Sequence, residues 1–165
     1  MGVEIERKYL VQSMEWMKRA GKGTRMVQGY LATTDKTAIR VRIAGSQARL
    51  TLKSAKSGIR RLEFEYSLPV ADAEQMLAEF CQGQVIHKTR YRLPVDDGYA
   101  WEIDVFHGAN EGLVLAEIEL ESEDVHFSLP DWLGQEVSGD KRYYNAYLSQ
   151  TPFKSWTESG KTLSD

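Results

Sequence analysis

The chain is poor in the residues that build covalent or histidine-based metal frameworks. Its 165 residues include one cysteine, Cys81, and three histidines, at positions 87, 107 and 126. A single cysteine excludes an intrachain disulfide framework, and the histidines share no spacing typical of a metal site. Cys81 falls in a helical pattern, which favours a small core residue over a reactive thiol. We interpret the histidines as surface or structural residues.

The sequence also lacks long apolar runs. No stretch approaches the roughly 20 residues that a membrane-spanning helix needs. The N-terminal region carries Glu4 and Glu6, where an export signal would have basic residues followed by an apolar segment. With the single cysteine, these features predict a cytoplasmic protein without a membrane partner.

Charge of one sign is not in marked excess either. The chain has 21 basic and 24 acidic residues, for a formal net charge of −3. A nucleic-acid-binding protein would show an unbalanced basic surface, often with aromatic residues interleaved, whereas here acidic and basic residues alternate strand by strand. No repeat, linker or low-complexity segment divides the chain, and its length suits one domain with a real core. We therefore expect one domain and no nucleic-acid partner.

What the sequence does have is alternation with the two-residue period of β-strands. Charged residues occupy one face of nearly every predicted strand and aliphatic or aromatic residues the other. About eight strands follow this rule, over residues 2–11, 25–33, 39–43, 49–53, 61–66, 86–93, 99–106 and 113–121. Helical spacing predicts an amphipathic helix over 70–83 and short helices over 13–20, 131–137 and 141–149. Residues 151–165 are polar and without periodicity, so we expect them to fray.

The first predicted strand concentrates charge on one face. In an extended segment Glu4, Glu6 and Lys8 point to the same side, with Ile5 on the other. Unpaired like charges repel and burying them is costly, so either a solvated sheet face or a bound ligand must accommodate them.

The signs of the charges are segregated by strand. Acidic pairs occur at Glu4/Glu6, Glu63/Glu65, Glu102/Asp104 and Glu117/Glu119, and basic pairs at Arg40/Arg42 and Lys88/Arg90. Like charges this close destabilise a bare sheet. An open, salt-bridged sheet remains an alternative, but a closed barrel removes the conflict if the charges face inward around a metal-bound polyphosphate. The pattern thus favours a charged tunnel whose aliphatic outer face is covered by helices.

These motifs resemble the CYTH domains, also called triphosphate tunnel metalloenzymes. The resemblance spans residues 1–150 as a single domain, with 151–165 as a polar C-terminal tail, and depends on an ordered series of motifs. The series is Glu4-x-Glu6-x-Lys8, Gln28-Gly29-Tyr30-Leu31, Arg40-x-Arg42, Thr51-x-Lys53, Glu63-x-Glu65, Lys88-x-Arg90-Tyr91, Glu102-x-Asp104, Glu117-x-Glu119 and Gly139-Asp140-Lys141-Arg142-Tyr143. The resemblance implies an α+β fold built on an eight-stranded antiparallel β-barrel with a charged lumen and helices packed outside.

The resemblance also implies metal-dependent chemistry on triphosphates and a role for each matching residue. The expected activity is hydrolysis of inorganic tripolyphosphate to pyrophosphate and phosphate, with Mg²⁺ or Mn²⁺ as cofactor. The implied metal ligands are Glu4, Glu6 and Glu119, with Glu117 and Asp104 as candidates for a second ion. The implied phosphate-binding residues are Lys8, Arg40, Arg42, Lys53 and Arg90, together with Arg61 and Lys141, whose roles are less defined. Lys88 and Tyr30 are the implied pair near the attacking water, with Glu63, Glu65 and Glu102 in support.

Other functions remain open at this stage. An adenylyl cyclase would need an adenine pocket, and the sequence shows no dedicated set of base-reading residues. A thiamine triphosphatase shares the same tunnel, and a noncatalytic polyphosphate-binding module would lose the acidic pairs that are present here. Apolar outer faces that two helices leave uncovered could support a homodimer.

Overall fold

A computed structural model of the protein describes residues 2–156, apart from the side chain of Asp97. Within that range the chain is dominated by antiparallel β-structure. The strands are β1 (Gly2–Val11), β2 (Thr24–Thr33), β3 (Thr37–Ala44), β4 (Gln47–Ser54), β5 (Arg60–Leu68), β6 (Gln82–Pro94), β7 (Ala100–Phe106), β8 (Val114–Glu119) and β9 (Leu133–Glu136). The α-helices are α1 (Val70–Phe80) and α2 (Asn145–Gln150). Single 3-10 turns occupy Glu15–Lys18, Asp96–Gly98, Gly108–Asn110, Lys141–Tyr143 and Phe153–Ser155.

The strands close into a barrel. Their order around the sheet is β5-β4-β3-β2-β6-β7-β8-β1, and β1 also pairs with β5, which completes a ring of eight strands. The closing strand therefore pairs on one edge with β8, where Glu6 faces Glu119, and on the other with β5, where Glu4 faces Arg61. A closed ring leaves no free strand edge between its members, and the predicted eight-stranded antiparallel barrel is confirmed.

Alternation along each strand divides the barrel into a polar inside and an apolar outside. On β3, Val41 is fully buried against α1, while Arg40 and Arg42 point into the lumen. Helix α1 covers β2, β3 and β4 with Ala73 and Leu77, as expected for an amphipathic helix whose apolar positions recur at helical spacing. The 3-10 turn at Glu15–Lys18 places Trp16 over another part of the barrel, next to the ring of Tyr91.

One end of the lumen is filled by apolar side chains. The residues two positions beyond the charged lumen residues, and therefore on the same face, are Leu10, Ile86, Phe106 and Leu115. All four pack in one cluster with Tyr143, Leu148 and Phe153 from the C-terminal part of the chain. Helix α2 thus enters the end of the barrel and closes it. In this respect it differs from α1, which lies outside as predicted.

Four predicted segments differ from the structure. The helix predicted over 141–149 is divided into a 3-10 turn at Lys141–Tyr143 and the short helix α2 at Asn145–Gln150. The helix predicted over 131–137 is wrong, because residues 133–136 form β9 and pair with β1. The helix predicted over 13–20 is reduced to the single turn at Glu15–Lys18. The expectation that the chain frays from residue 151 is wrong for 151–156, where Phe153 is buried, and the rest of that segment lies outside the described residues. No helix within 2–156 has the length and apolar character required to cross a membrane.

Gly83 allows α2 to approach the barrel, and its replacement tests this contact. It has a φ of +72°, and a Cβ there would lie 2.5 Å from the carbonyl oxygen of Ser149. We expect Gly83→Ala to lower the free energy of unfolding by about 3 kcal/mol, through left-handed strain and overpacking. Gly45 has a φ of +59°, and a Cβ added there would meet no described atom within 4 Å. It is the matched control, for which Gly45→Ala should cost about 1 kcal/mol of strain alone. Urea unfolding measures both, and equal losses would contradict the contact.

Candidate active site

The lumen of the barrel holds a cavity of about 250 Å³ with a charged wall. Every strand of the ring contributes at least one side chain to this wall, and residues 144–146 close the cavity. The lining residues are Glu4, Glu6, Lys8, Tyr30, Ala38, Arg40, Arg42, Lys53, Arg61, Glu63, Glu65, Lys88, Arg90, Glu102, Glu117, Glu119, Tyr144, Asn145 and Ala146.

Carboxylates from β1, β5 and β8 form the acidic part of the wall. Glu4 is buried and accepts from Lys53, whose Nζ lies 3.3 Å from Glu4 Oε1 and 3.1 Å from Glu63 Oε2. Glu6 lies opposite Glu119 across the β1–β8 pair, and the charge of Glu117 acts on its carboxyl. The antiparallel register of the closing strand therefore brings together acidic residues that are more than 100 positions apart in sequence.

Residues from β3 and β6 form the basic part of the wall. Arg90 makes a two-point contact with Asp104, with Nε to Oδ1 at 2.7 Å and Nη2 to Oδ2 at 2.9 Å. Lys88 Nζ lies 2.8 Å from Asp104 Oδ2, and both side chains are about 1% exposed. Arg40 Nη2 lies 3.2 Å from Thr51 Oγ1. Asp104 thus holds two cations at the wall while their remaining surface faces the lumen.

The crowding of like charges shifts several pKa values. Burial, together with the charges of Glu117 and Glu4, raises the pKa of Glu6 to about 8. Burial and neighbouring carboxylates also raise the pKa of Glu119. On the basic side, burial together with Arg90 and Arg42 lowers the pKa of Lys88 to about 7, in spite of Asp104. Glu6, Glu119 and Lys88 are therefore short of the opposite charge.

Arg42 shows the same shortage of negative charge. Burial, followed by the charges of Arg40 and Arg90, lowers the pKa of Arg42 to about 9.

Asp104 and Glu117 behave differently. Arg90 and Lys88 outweigh the burial of Asp104 and hold its pKa at about 2. The charge of Lys8, followed by those of Arg90 and Lys88, outweighs the burial of Glu117 and lowers its pKa. A polyanion that carries a divalent cation would relieve the acidic and the basic part of the wall at once.

The acidic part of the wall suits a hard divalent cation in its chemistry. Glu4, Glu6 and Glu119 supply carboxylate oxygens, which Mg²⁺ and Mn²⁺ prefer, and each has a raised pKa that a cation would lower. Among residues 2–156, no three Asp, Glu, His or Cys side chains already converge closely enough to hold an ion. Glu4 is engaged by Lys53, whose Nζ lies 3.3 Å from Glu4 Oε1.

The raised pKa of Glu6 predicts how the metal-free protein responds to pH. Above about pH 4.5 the Glu6 carboxyl of the unfolded chain loses its proton, while the folded chain keeps that proton up to about pH 8. Between these pH values the unfolded state binds fewer protons, so the free energy of unfolding falls as pH rises. We expect the free energy of unfolding in EDTA to fall by about 2 kcal/mol between pH 5 and pH 7. Urea unfolding at both pH values measures it. Glu6→Gln should flatten the difference, and a wild-type stability that rises over this interval would contradict the assignment.

All but two of the predicted site residues line the cavity. Asp104 lies behind the wall with both oxygens engaged by Lys88 and Arg90, which argues against its predicted role as a metal ligand. Lys141 is exposed and outside the lining, so its predicted place in the phosphate clamp is not supported.

Four polar residues at or beside the cavity were not identified in the sequence analysis. Tyr144 and Asn145 follow directly on the recognised motif at 139–143, but nothing in a single sequence shows that they enter the lumen. Lys56 lies between the strands predicted over 49–53 and 61–66, yet its side chain is 7% exposed and its Nζ lies 3.7 Å from Glu6 Oε1. Gln28 belonged to a recognised motif without a role, and it is fully buried.

Comparison with known proteins identifies a matching family and two similar sequences. The model of the CYTH domain family matches residues 2–144. An inorganic triphosphatase of Acetivibrio thermocellus is 44% identical over 158 residues, which cover 96% of this chain and all of that protein. An inorganic triphosphatase of Nitrosomonas europaea is 41% identical over 149 residues, covering 88% of this chain and 96% of that protein.

Solved structures agree with the barrel. A crystal structure of an inorganic triphosphatase matches with a TM-score of 0.63 and 39% identity, covering 90% of this chain and 95% of that one. A putative adenylate cyclase from Bacillus halodurans matches with a TM-score of 0.58 at 22% identity, covering 74% of this chain and 84% of that one. At that identity the second likeness concerns the fold alone.

Proposed function

Because this chain belongs to the CYTH domain family, we propose that it is a metal-dependent triphosphatase that hydrolyses inorganic tripolyphosphate to pyrophosphate and phosphate. Both curated relatives are inorganic triphosphatases, at 41% and 44% identity over most of the chain. The substrate on this proposal is a small molecule that carries several negative charges and a divalent cation.

The observation that carries the proposal is the size and charge of the cavity. Its volume of about 250 Å³ is below the roughly 300–1,000 Å³ typical of pockets for larger organic ligands. Its wall is charged on nearly all sides, and the ring of Tyr144 is already faced by Lys8, Lys56 and Arg61 at 5.6, 5.0 and 5.9 Å. A compact inorganic anion suits such a site better than a nucleotide with an apolar base.

We assign the residue roles from their places on the wall. Glu4, Glu6 and Glu119 would hold the principal ion, with Glu117 available to a second one. The phosphate-binding residues on this proposal are Lys8, Arg40, Arg42, Lys53, Arg61 and Arg90. Glu63, Glu65 and Glu102 balance these cations through ion pairs with Lys53, Arg40 and Arg90.

Hydrolysis requires an in-line attack of water on a terminal phosphorus, with cleavage of the bond to the bridging oxygen. Arginine and lysine side chains hold the phosphates and balance the charge that develops on their oxygens. Lys88, with a pKa of about 7, takes a proton from the attacking water, and Tyr30, which lines the same cavity, orients that water. A bound divalent ion supplies further neutralisation of phosphate charge.

The finer properties belong to the same proposal. Mg²⁺ or Mn²⁺ would serve, since both accept carboxylate oxygens. A cytoplasmic location agrees with the single unpaired cysteine. A homodimer is supported by the apolar outer face of β5, where Leu62, Phe64 and Tyr66 are 50%, 41% and 59% exposed, and light scattering at two concentrations tests it.

Phosphate release from tripolyphosphate, ATP and thiamine triphosphate, with Mg²⁺, Mn²⁺ or EDTA, tests the function. We expect fast, metal-dependent release that favours tripolyphosphate. Cyclic AMP formed from ATP would instead indicate an adenylyl cyclase, and preference for thiamine triphosphate a thiamine triphosphatase. Binding of all three substrates without turnover would indicate a noncatalytic module.

A further inference from the structure

Two amide side chains, the buried Gln28 and the half-buried Asn145, join the basic residues of the lumen to residues 144–146. Gln28 Oε1 accepts from Arg42 Nε at 2.8 Å, and Gln28 Nε2 donates to Asn145 Oδ1 at 2.9 Å. The same Asn145 oxygen accepts from Lys88 Nζ at 2.9 Å. Nothing in the proposed mechanism uses either amide, although Gln28 is completely buried and Asn145 lines the cavity.

The orientation of both amides follows from their partners. Arginine has only donors, so the end of Gln28 that faces Arg42 must be its oxygen. The other end of Gln28 is then a donor, and Asn145 must turn its oxygen toward it. Lys88 also has only donors when charged and needs an acceptor at the same point. Arg42 therefore fixes Gln28, which in turn fixes Asn145.

This arrangement determines where the Lys88 amine points. Two of its hydrogens are directed at acceptors, Asp104 Oδ2 at 2.8 Å and Asn145 Oδ1 at 2.9 Å. A tetrahedral nitrogen bonded to its own carbon has one direction left. That direction carries the third proton of the ammonium or the lone pair of the free amine, and Lys88 borders the lumen.

We propose that Asn145, held by Gln28, is a positioning residue. It aims the free direction of the Lys88 nitrogen into the lumen, where the attacking water would bind. The inference rests on the proposed hydrolysis with Lys88 as proton acceptor. The proposal explains why Asn145 reaches into the active site. It also assigns Gln28 a role that depends on both its amide oxygen and its amide nitrogen.

Asn145→Leu tests the proposal, because leucine has a similar shape and no acceptor. We expect kcat for tripolyphosphate to fall at least about tenfold while KM changes less than about threefold, since phosphate contacts remain. Asn145→Asp keeps an acceptor oxygen but adds a negative charge that raises the pKa of Lys88, so it should recover most of kcat only at higher pH. Gln150→Leu makes the same change from amide to leucine at an exposed position of α2 and should leave both constants unchanged.

Several outcomes would overturn the proposal. An unchanged kcat in Asn145→Leu would do so, as would a loss in Asn145→Asp that equals the loss in Asn145→Leu at every pH. An effect on KM alone would also do so, because it would make Asn145 a substrate contact. If Asn145→Leu does not fold, Gln28→Met decides, because it removes both amide ends and should also lower kcat selectively.

A second measurement does not depend on turnover. The ¹⁵N resonance of the Lys88 ammonium, identified by its loss in Lys88→Met, should be protected from rapid proton exchange at pH 6 in the wild type and lose that protection in Asn145→Leu. Protection that persists in the variant would contradict the positioning contact. An inactive wild-type protein with this protection pattern would refute the proposed hydrolysis while leaving the positioning contact intact.

Discussion

Lys88→Met is expected to lower kcat for tripolyphosphate hydrolysis about a thousandfold, within the range that a general acid or base contributes. Methionine keeps the length and apolar stem of lysine but cannot accept a proton. Asp104 keeps its two-point contact with Arg90, so the variant should retain the fold and bind substrate. Initial rates of phosphate release at saturating metal and substrate measure the effect.

Lys88→Arg is the informative companion to this variant. Arginine preserves the positive charge but stays protonated at any pH of the assay. It could therefore substitute for Lys88 if only the charge were needed, but it could not accept a proton. We expect the arginine variant to remain at least about a hundredfold below wild type. Full turnover in either variant would show that Lys88 is not the proton acceptor.

Glu119→Gln is expected to raise the Mg²⁺ concentration for half-maximal activity about a hundredfold. Loss of a residue that only supports a metal ligand already lowers metal affinity by up to about a hundredfold. Glutamine is nearly isosteric but lacks the negative charge. Glu119 lines the cavity and its carboxyl has a raised pKa because of burial and neighbouring carboxylates, so its loss should not destabilise the metal-free fold. Metal titrations at fixed tripolyphosphate measure the shift.

Glu121→Gln provides the control for that experiment. Glu121 follows two residues later, is exposed and lies outside the cavity, so the same chemical change there should leave the metal requirement unaltered. A Glu119→Gln enzyme with wild-type metal dependence would remove Glu119 from the ion site, whatever its effect on the maximal rate.

The barrel and most of the cavity wall could be predicted because β-alternation is a local property of sequence. Arg40 and Arg42 share a face by the geometry of an extended chain alone, and the register of the ring brings them to the lumen. The closed end could have been found by the same rule. Leu10 and Leu115 continue the lumen-facing positions of Lys8 and Glu117, and their apolar character marks where the charged part of the lumen ends.

The differences between the sequence-based expectations and the structure depend on contacts and turns that alternation along a strand does not reveal. Strand β9 has only four residues, and its pairing with β1 prevails over any local preference. Asp104 has the alternation of a lumen residue, but two cations occupy its oxygens. At the C-terminal segment Asn145, rather than Lys141, reaches the cavity, because the 3-10 turn and α2 set which side chains face inward.

Closure of the ring by its first strand has a consequence for folding. Residue 2 pairs with residue 63, and residue 6 pairs with residue 119. We expect contacts with such large sequence separation to form slowly during folding, because long loops must close first. Glu4 and Glu6 lie on that strand, so the proposed cation site is complete only when the strand docks. We therefore expect metal and polyphosphate to slow unfolding by stabilising the docked strand, with little effect on the earlier steps of folding.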